Sequence, residues 1–215
     1  MKIVERILSF AGWSIIIGLS VYFFLENIAV YFMGFRSSIF TRSPVWVALH
    51  LIGGSLVLIT GPLQFAKWIR ARYVNIHRVS GKIYIISAFV AGVSALRLSI
   101  VSPCVPCRVS LFILAMLTLG TTFSAWWAIK RRNITIHRQF MVRSYICAIA
   151  FVGVRIGGLV PLDFLFGPIP DATFDRTVNE YFFSFVPIIA GEIFMIWIPS
   201  LLIIKSKERI TPEVG

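Results

Sequence analysis

The chain has 215 residues, of which 58% are hydrophobic and only 14% charged, with a mean hydropathy of +0.86. Soluble domains carry about 25% charged residues, so there are too few charges here to cover a water-facing surface, and a soluble globular domain is excluded. The net charge of +12 would suggest nucleic acid in a soluble protein, but its distribution points to a membrane, and no nucleic-acid partner is expected.

Crossing a bilayer takes roughly 20 mostly apolar residues in a helix. Six such stretches follow one another, at about 10–33, 45–66, 82–102, 108–130, 140–162 and 183–204. The first is too long, and wrongly flanked, for a cleaved signal peptide. With their loops the six use almost the whole sequence, so residues 1–215 are read as a single all-α integral membrane domain. Lys67, Arg70, Arg72, Arg78 and Lys82 separate the second and third spans, and Lys130, Arg131, Arg132 and Arg138 the fourth and fifth. Lys2 and Arg6 precede the first span, and Lys205, Lys207 and Arg209 follow the last. These segments all fall on one side, whereas Asp163, Asp171, Asp175 and Glu180 lie on the other. Basic loops stay in the cytoplasm, which predicts a multi-pass protein of the cell (inner) membrane with both termini cytoplasmic. Its basic loops are expected to meet anionic lipids at that face.

An internal repeat organises the middle of the chain. The run Trp68-Ile69-Arg70-Ala71-Arg72, then Asn75-Ile76-His77-Arg78, is echoed by Ala128-Ile129-Lys130-Arg131-Arg132, then Thr135-Ile136-His137-Arg138, 60 residues on. Each unit is a helix running inward, a basic loop and a helix running outward. Two parallel-repeated hairpins thus predict a four-helix core, with the first and last spans outside it. Gly53, Gly54, Gly61, Ala88, Ala91, Gly92 and Ala95 offer the small side chains that close helix approach in lipid requires.

Three groups of residues have chemical potential. His77 and His137 open matching helices at the cytoplasmic face. Such a pair can ligate a haem iron axially, with Arg70, Arg72, Arg78, Arg138 and Arg143 contacting its propionates or, without haem, lipid headgroups. A histidine followed by arginine also serves as a plain helix-end anchor. The second group is an outer polar cluster of Glu26, His50, Arg97, Arg155 and Glu192. Ionisable side chains inside a bilayer turn inward and pair, which suits an interhelical lock, a quinone or proton site, or the gate of a small transporter. His137, Met141, Ser144, Ala148, Phe151 and Arg155 fall on one face of the fifth helix. Third, Cys104 and Cys107 share the outer loop between the third and fourth helices, with Cys147 alone in the fifth. They suit a disulfide, or a redox dithiol whose Cys107 thiolate is favoured by Arg108 and the helix start.

The string His50, Gly53-Gly54, Gly61-Pro62-Leu63-Gln64-Phe65, Arg70, His77-Arg78, Gly81, Tyr84 resembles the signature of an uncharacterised bacterial family of multi-pass membrane proteins, domain of unknown function 2306. Trp126, His137-Arg138, Met141, Arg143-Ser144 and Arg155 resemble its second half, and Glu192 a glutamate of its last helix. The chain departs from that pattern at Ile188 and Ile189, where an asparagine is expected. The four-helix core is also similar to two-haem transmembrane cytochromes of the b type. Those use four histidines; the three present here allow one complete bis-histidine site. The resulting expectation is a membrane protein with one b-type haem between His77 and His137, exchanging electrons with a quinone or another redox partner. The alternatives are a non-enzymatic lipid-anchored protein, a small transporter and a thiol–disulfide protein.

Overall fold

The computed structural model describes residues 43–157, 162–167 and 170–197, together with the helical residues Gly18, Val21, Tyr22 and Leu25. Apart from those four, the predicted first span lies outside the described residues, as do Glu26, the side chain of Arg155 and both basic terminal segments. The described elements are α1 (Pro44–Phe65), α2 (Lys67–Arg72), α3 (Val74–Ile100), α4 (Cys107–Lys130), α5 (Ile134–Gly157), α6 (Asp163–Phe166) and α7 (Ala172–Glu192), with a π-helical turn at Ile193–Trp197. No strand occurs among the described residues.

Four of these helices are long and apolar enough to cross a membrane: α1, α3, α4, and α7 with its π-helical continuation. Helix α5 is as long as α4, but Arg138, Arg143 and Arg155 reduce its apolarity. It is nevertheless an inner helix. Val57 of α1, Tyr84 and Ala88 of α3, Ala125 of α4, and Met141 and Tyr145 of α5 form one buried cluster, with Ala148 packed against it. Helix α3 packs against α1 and α4, α5 against α4 and α7, and α1 meets α5 more loosely. Four helices therefore surround a common interior, with α7 laid against α4 and α5.

Two predicted boundaries are corrected. Helix α3 starts at Val74, eight residues before the apolar run at 82, and most of the predicted basic loop is helical. The last helix starts at Ala172 rather than 183, and much of the predicted acidic loop forms its first turns. Hydropathy marks the part of a helix within lipid, whereas helix ends are set by capping. Asp171 provides that cap: its Oδ1 accepts the amides of Thr173 and Phe174, each at 2.8 Å.

The chain kinks twice between α1 and α3. Ala66 takes an extended conformation after Pro62 has weakened the end of α1, and Tyr73 leaves helical geometry before α3. The six-residue α2 lies between these breaks. Its Trp68 is 64% exposed and meets the Tyr73 ring edge-on at 5.9 Å.

Close packing depends on particular glycines. A Cβ on Gly53 would stand 2.9 Å from the carbonyl oxygen of Ser87 and 3.0 Å from the amide nitrogen of Ala91, backbone atoms that cannot swing away. A Cβ on Gly61 would enter the Tyr145 ring. Gly54 also matched the small-residue pattern, yet a Cβ there meets nothing within 4 Å, so it does not belong to the contact. Gly53→Ala is expected to cost about 1–3 kcal/mol as α1 is pushed off α3, whereas Gly54→Ala should be neutral or gain up to about 1 kcal/mol of helix propensity. Thermal unfolding in detergent checks this, and equal midpoints for the two variants would refute the contact.

Candidate functional site at the basic end of the bundle

The turn between α4 and α5 is built from backbone hydrogen bonds and one unusual residue. Arg132 is the only non-glycine residue with positive φ among those described, at 57°. Its amide donates to Ile129 O at 3.0 Å and that of Asn133 to Ala128 O at 2.9 Å, a helix-ending pattern that ordinarily favours glycine at this position. Asn133 then starts the next helix, its Oδ1 accepting the amide of Ile136 at 3.1 Å. So tight a turn folds His137 back over α4, where its Nδ1 lies 2.8 Å from Ala125 O. A carbonyl only accepts, so Nδ1 carries the proton and Nε2 is left as the lone-pair nitrogen.

His77 occupies the corresponding place in the first turn of α3, its amide donating to Tyr73 O at 3.1 Å. The ring is half-buried, and its Nδ1 is buried with no hydrogen-bond partner among the described residues. Arg70, His137 and Arg78 lie within electrostatic reach of it. Arg70 itself is half-buried, and burial, with Arg138 nearby adding to it, holds its guanidinium below the ordinary arginine range. Arg72 and Arg138 are exposed, Arg72 with its guanidinium 6.0 Å from the centre of the Tyr73 ring. Two imidazoles and several guanidiniums thus gather here, and among the described residues no carboxylate forms an ion pair with any of them.

Arg143 does not belong to this end group. It forms a two-point pair with Glu192 of α7, Nε to Oε1 and Nη2 to Oε2, the second at 2.8 Å. At 1.5 Å per residue it lies about 9 Å further along α5 than His137. The interior below the histidines is closed by polar bonds. Gln64 Nε2 donates to Ser80 Oγ at 2.8 Å, and a Cβ on Gly81 would stand only 3.0 Å from Gln64 Oε1. Deeper still, Ser144 Oγ bonds both Tyr84 Oη at 2.9 Å and Thr122 Oγ1 at 2.7 Å, joining α3, α4 and α5. Sequence reading did not identify this network. The 60-residue spacing of Tyr84 and Ser144, equal to that of the two histidines, was its available signal.

Among the described residues, His50, Arg97 and Glu192 of the predicted outer cluster do not meet one another. Glu192 pairs with Arg143, Arg97 is exposed at the end of α3, and Glu26 and the Arg155 side chain lie outside the described residues. His50 directs Nδ1 to Ala91 O at 3.0 Å and sets its ring edge-on to Phe151. Asn179, Glu180 and Ser184 of α7 are buried towards that end, so Glu180, expected in the acidic loop, is a buried helical residue. Cys104 and Cys107 form a disulfide, buried beneath α7 with Thr177 Oγ1 at 3.9 and 4.0 Å from the two sulfurs. Arg108, expected to act on a Cys107 thiolate, instead donates Nε–H to Ser102 O at 2.9 Å. Cys147 is a buried free thiol on α5.

Residues 47–198, which contain α1 to α7 almost entirely, match the model of a family described as predicted membrane protein, DUF2306. The chain belongs to this family. No curated protein and no solved structure matches it, so the similarity to b-type cytochromes drawn from the sequence has no counterpart in these comparisons. Within the matched region, Gly61 receives the Tyr145 ring, Gln64 and Gly81 join α1 to α3, and Tyr84 meets Ser144. Much of the resemblance therefore consists of packing residues around the histidine end.

The Ser144 network makes a differential prediction. Tyr84→Phe leaves Ser144 bonded to Thr122 and should cost about 1 kcal/mol, whereas Ser144→Ala leaves two buried hydroxyls without their partner and should cost about 1–3 kcal/mol. The double variant should cost less than the sum, as expected for residues sharing one bond. Additive losses in thermal unfolding would show that the hydroxyls act separately.

Proposed function

We propose that this membrane protein holds one b-type haem at its basic end, with His77 and His137 as the axial pair and Arg70, Arg78 and Arg138 receiving the propionates. The observation that carries this reading is the state of the two rings. His137 has its Nδ1 proton committed to Ala125 O, which orients the ring and leaves Nε2 as a ligand nitrogen. His77 has a buried Nδ1 with no hydrogen-bond partner among the described residues, an uncompensated polar atom that a native interior rarely keeps. The donor set suits the group: two imidazoles for iron, and cations that pair with no carboxylate among the described residues for the acidic edge. Met141 and Tyr84, buried one to two turns further along, fill the interior below the two rings. A haem held in this way supplies one-electron transfer, and a quinone of the bilayer or another redox protein is the partner class it would serve. The six-span arrangement, the two parallel hairpins and cytoplasmic termini are part of this proposal.

A second reading is supported by the proximity of Arg70 to Arg138. Two guanidiniums near one another, with no ion-paired carboxylate among the described residues, also suit a phosphate, and in that reading the His-Arg pairs anchor the helix ends to anionic headgroups. The thiol–disulfide and transporter readings have less support: both sulfurs are buried under Thr177, and the ionisable residues assigned to a gate do not cluster among those described.

An absorption spectrum separates the two readings. Protein expressed with ample haem should show a Soret band that sharpens on dithionite reduction, with low-spin α and β bands. His77→Ala and His137→Ala should each abolish the low-spin spectrum, and His50→Ala should leave it intact, because His50 lies near the other end of the bundle. Circular dichroism checks that all three variants fold. Colourless, folded protein would remove the haem reading and leave headgroup anchoring.

A further inference from the structure

Beside the His-Arg cluster, the last turns of α4 and the first turns of α5 enclose a groove of about 350 Å³. Its walls are apolar: the Phe123 and Trp127 rings stack at 6.2 Å and 18°, with Ile136 and Phe140 opposite. Its mouth is polar, formed by Arg131 and Asn133 at the turn. Phe123 and Trp127 are about half exposed, at 49% and 48%, so the groove opens sideways, where a membrane helix meets lipid.

The polar groups at the mouth are suited to an anion. The Arg131 guanidinium carbon lies 4.9 Å from the centre of the Trp127 ring, an arrangement that fixes the cation over the aromatic face and leaves its N–H edges available. Asn133 has its Oδ1 occupied by the Ile136 amide, so its Nδ2 hydrogens are what it can offer. Lys130 and Arg132 flank the site, with Lys130 set over Trp126 at 5.8 Å. Among the described residues the ion-paired carboxylate is Glu192, and Arg143 engages it. Any occupant must therefore have an apolar body and an anionic head, joined at the level where the helices leave the hydrocarbon.

We infer that this groove is a specific seat for an anionic phospholipid of the surrounding leaflet, with its phosphate on Arg131 and Asn133 Nδ2 and an acyl chain along Phe123, Trp127 and Phe140. Charge complementarity selects the class. A zwitterionic headgroup brings an ammonium against Arg131, Lys130 and Arg132, whereas phosphatidylglycerol brings none. The inference does not depend on haem, because no residue of the groove was assigned to that site.

Native mass spectrometry of the detergent-purified full chain provides the test, titrating phosphatidylglycerol and phosphatidylcholine of identical acyl composition. The wild-type protein should retain phosphatidylglycerol more strongly, and Arg131→Gln should reduce that preference about fivefold, the effect of one interfacial cation. Arg131→Lys should keep part of the preference. Trp127→Ala should weaken retention of both lipids, since it removes the wall and the platform under Arg131. Arg176→Gln, an equal charge loss at an exposed position of α7 towards the disulfide end, should leave the preference unchanged. Thermal midpoints close to wild type verify folding of each variant. The proposal is overturned if Arg131→Gln binds like wild type, if Arg176→Gln lowers the preference equally, or if inorganic phosphate competes as well as the lipid does.

Discussion

The level of the two histidines is set by one hydroxyl. Ser144 Oγ bonds Tyr84 of α3 and Thr122 of α4 in the dry centre of the bundle, where a polar group has no water to turn to. Helices α3 and α5 run in the same direction, so a bond between one residue of each fixes their mutual height. His77 precedes Tyr84 by the same seven residues that separate His137 from Ser144, about 10 Å or two turns. Holding Tyr84 against Ser144 therefore brings the imidazoles to one height. Gln64 and Gly81 tie the end of α1 into the same frame, and Gly61 lets the Tyr145 ring lie against it.

This arrangement accounts for the contrast between the two ends. At the basic end short connections hold the side chains in place: a three-residue turn with Arg132 in a left-handed conformation, and a six-residue helix between two kinks. At the other end the link between α3 and α4 is closed by the Cys104–Cys107 disulfide and covered by Thr177 of α7, while the Tyr181 hydroxyl donates to Pro106 O at 3.3 Å. The disulfide end is thus fastened by covalent and packing contacts, and the two histidine rings of the basic cluster lie at the opposite end.

The composition and the long apolar runs of the sequence made the all-helical membrane class legible. Direction around a helix was less legible. Depth alone grouped Arg97 and Glu192 with His50, yet Arg97 faces outward and Glu192 turns to Arg143. Gly53 and Gly54 are adjacent and equally small, but a helix rotates about 100° per residue, and only Gly53 points at α3. Hydropathy also underestimated helix length, because α3 and α7 start in polar sequence that a hydropathy window reads as loop. The groove was legible in principle: Phe123, Trp127 and Arg131 recur every four residues, one stripe on α4, but the basic turn drew attention to its charge rather than to the aromatics beneath it.

Helix α2 has a mechanical consequence for the whole molecule. Trp68 and Tyr73 at one corner of the basic end, and Trp126 and Trp127 at another, belong to the residue types that settle at the boundary between hydrocarbon and headgroups. Aromatics at two separate corners, one beside α2 and one in the last turns of α4, act as a float line, fixing how deeply this end sits. A thicker or thinner bilayer then moves its far boundary along α3 and α4 towards the disulfide, while the histidines keep their depth. The basic end is the datum from which the rest of the protein is hung.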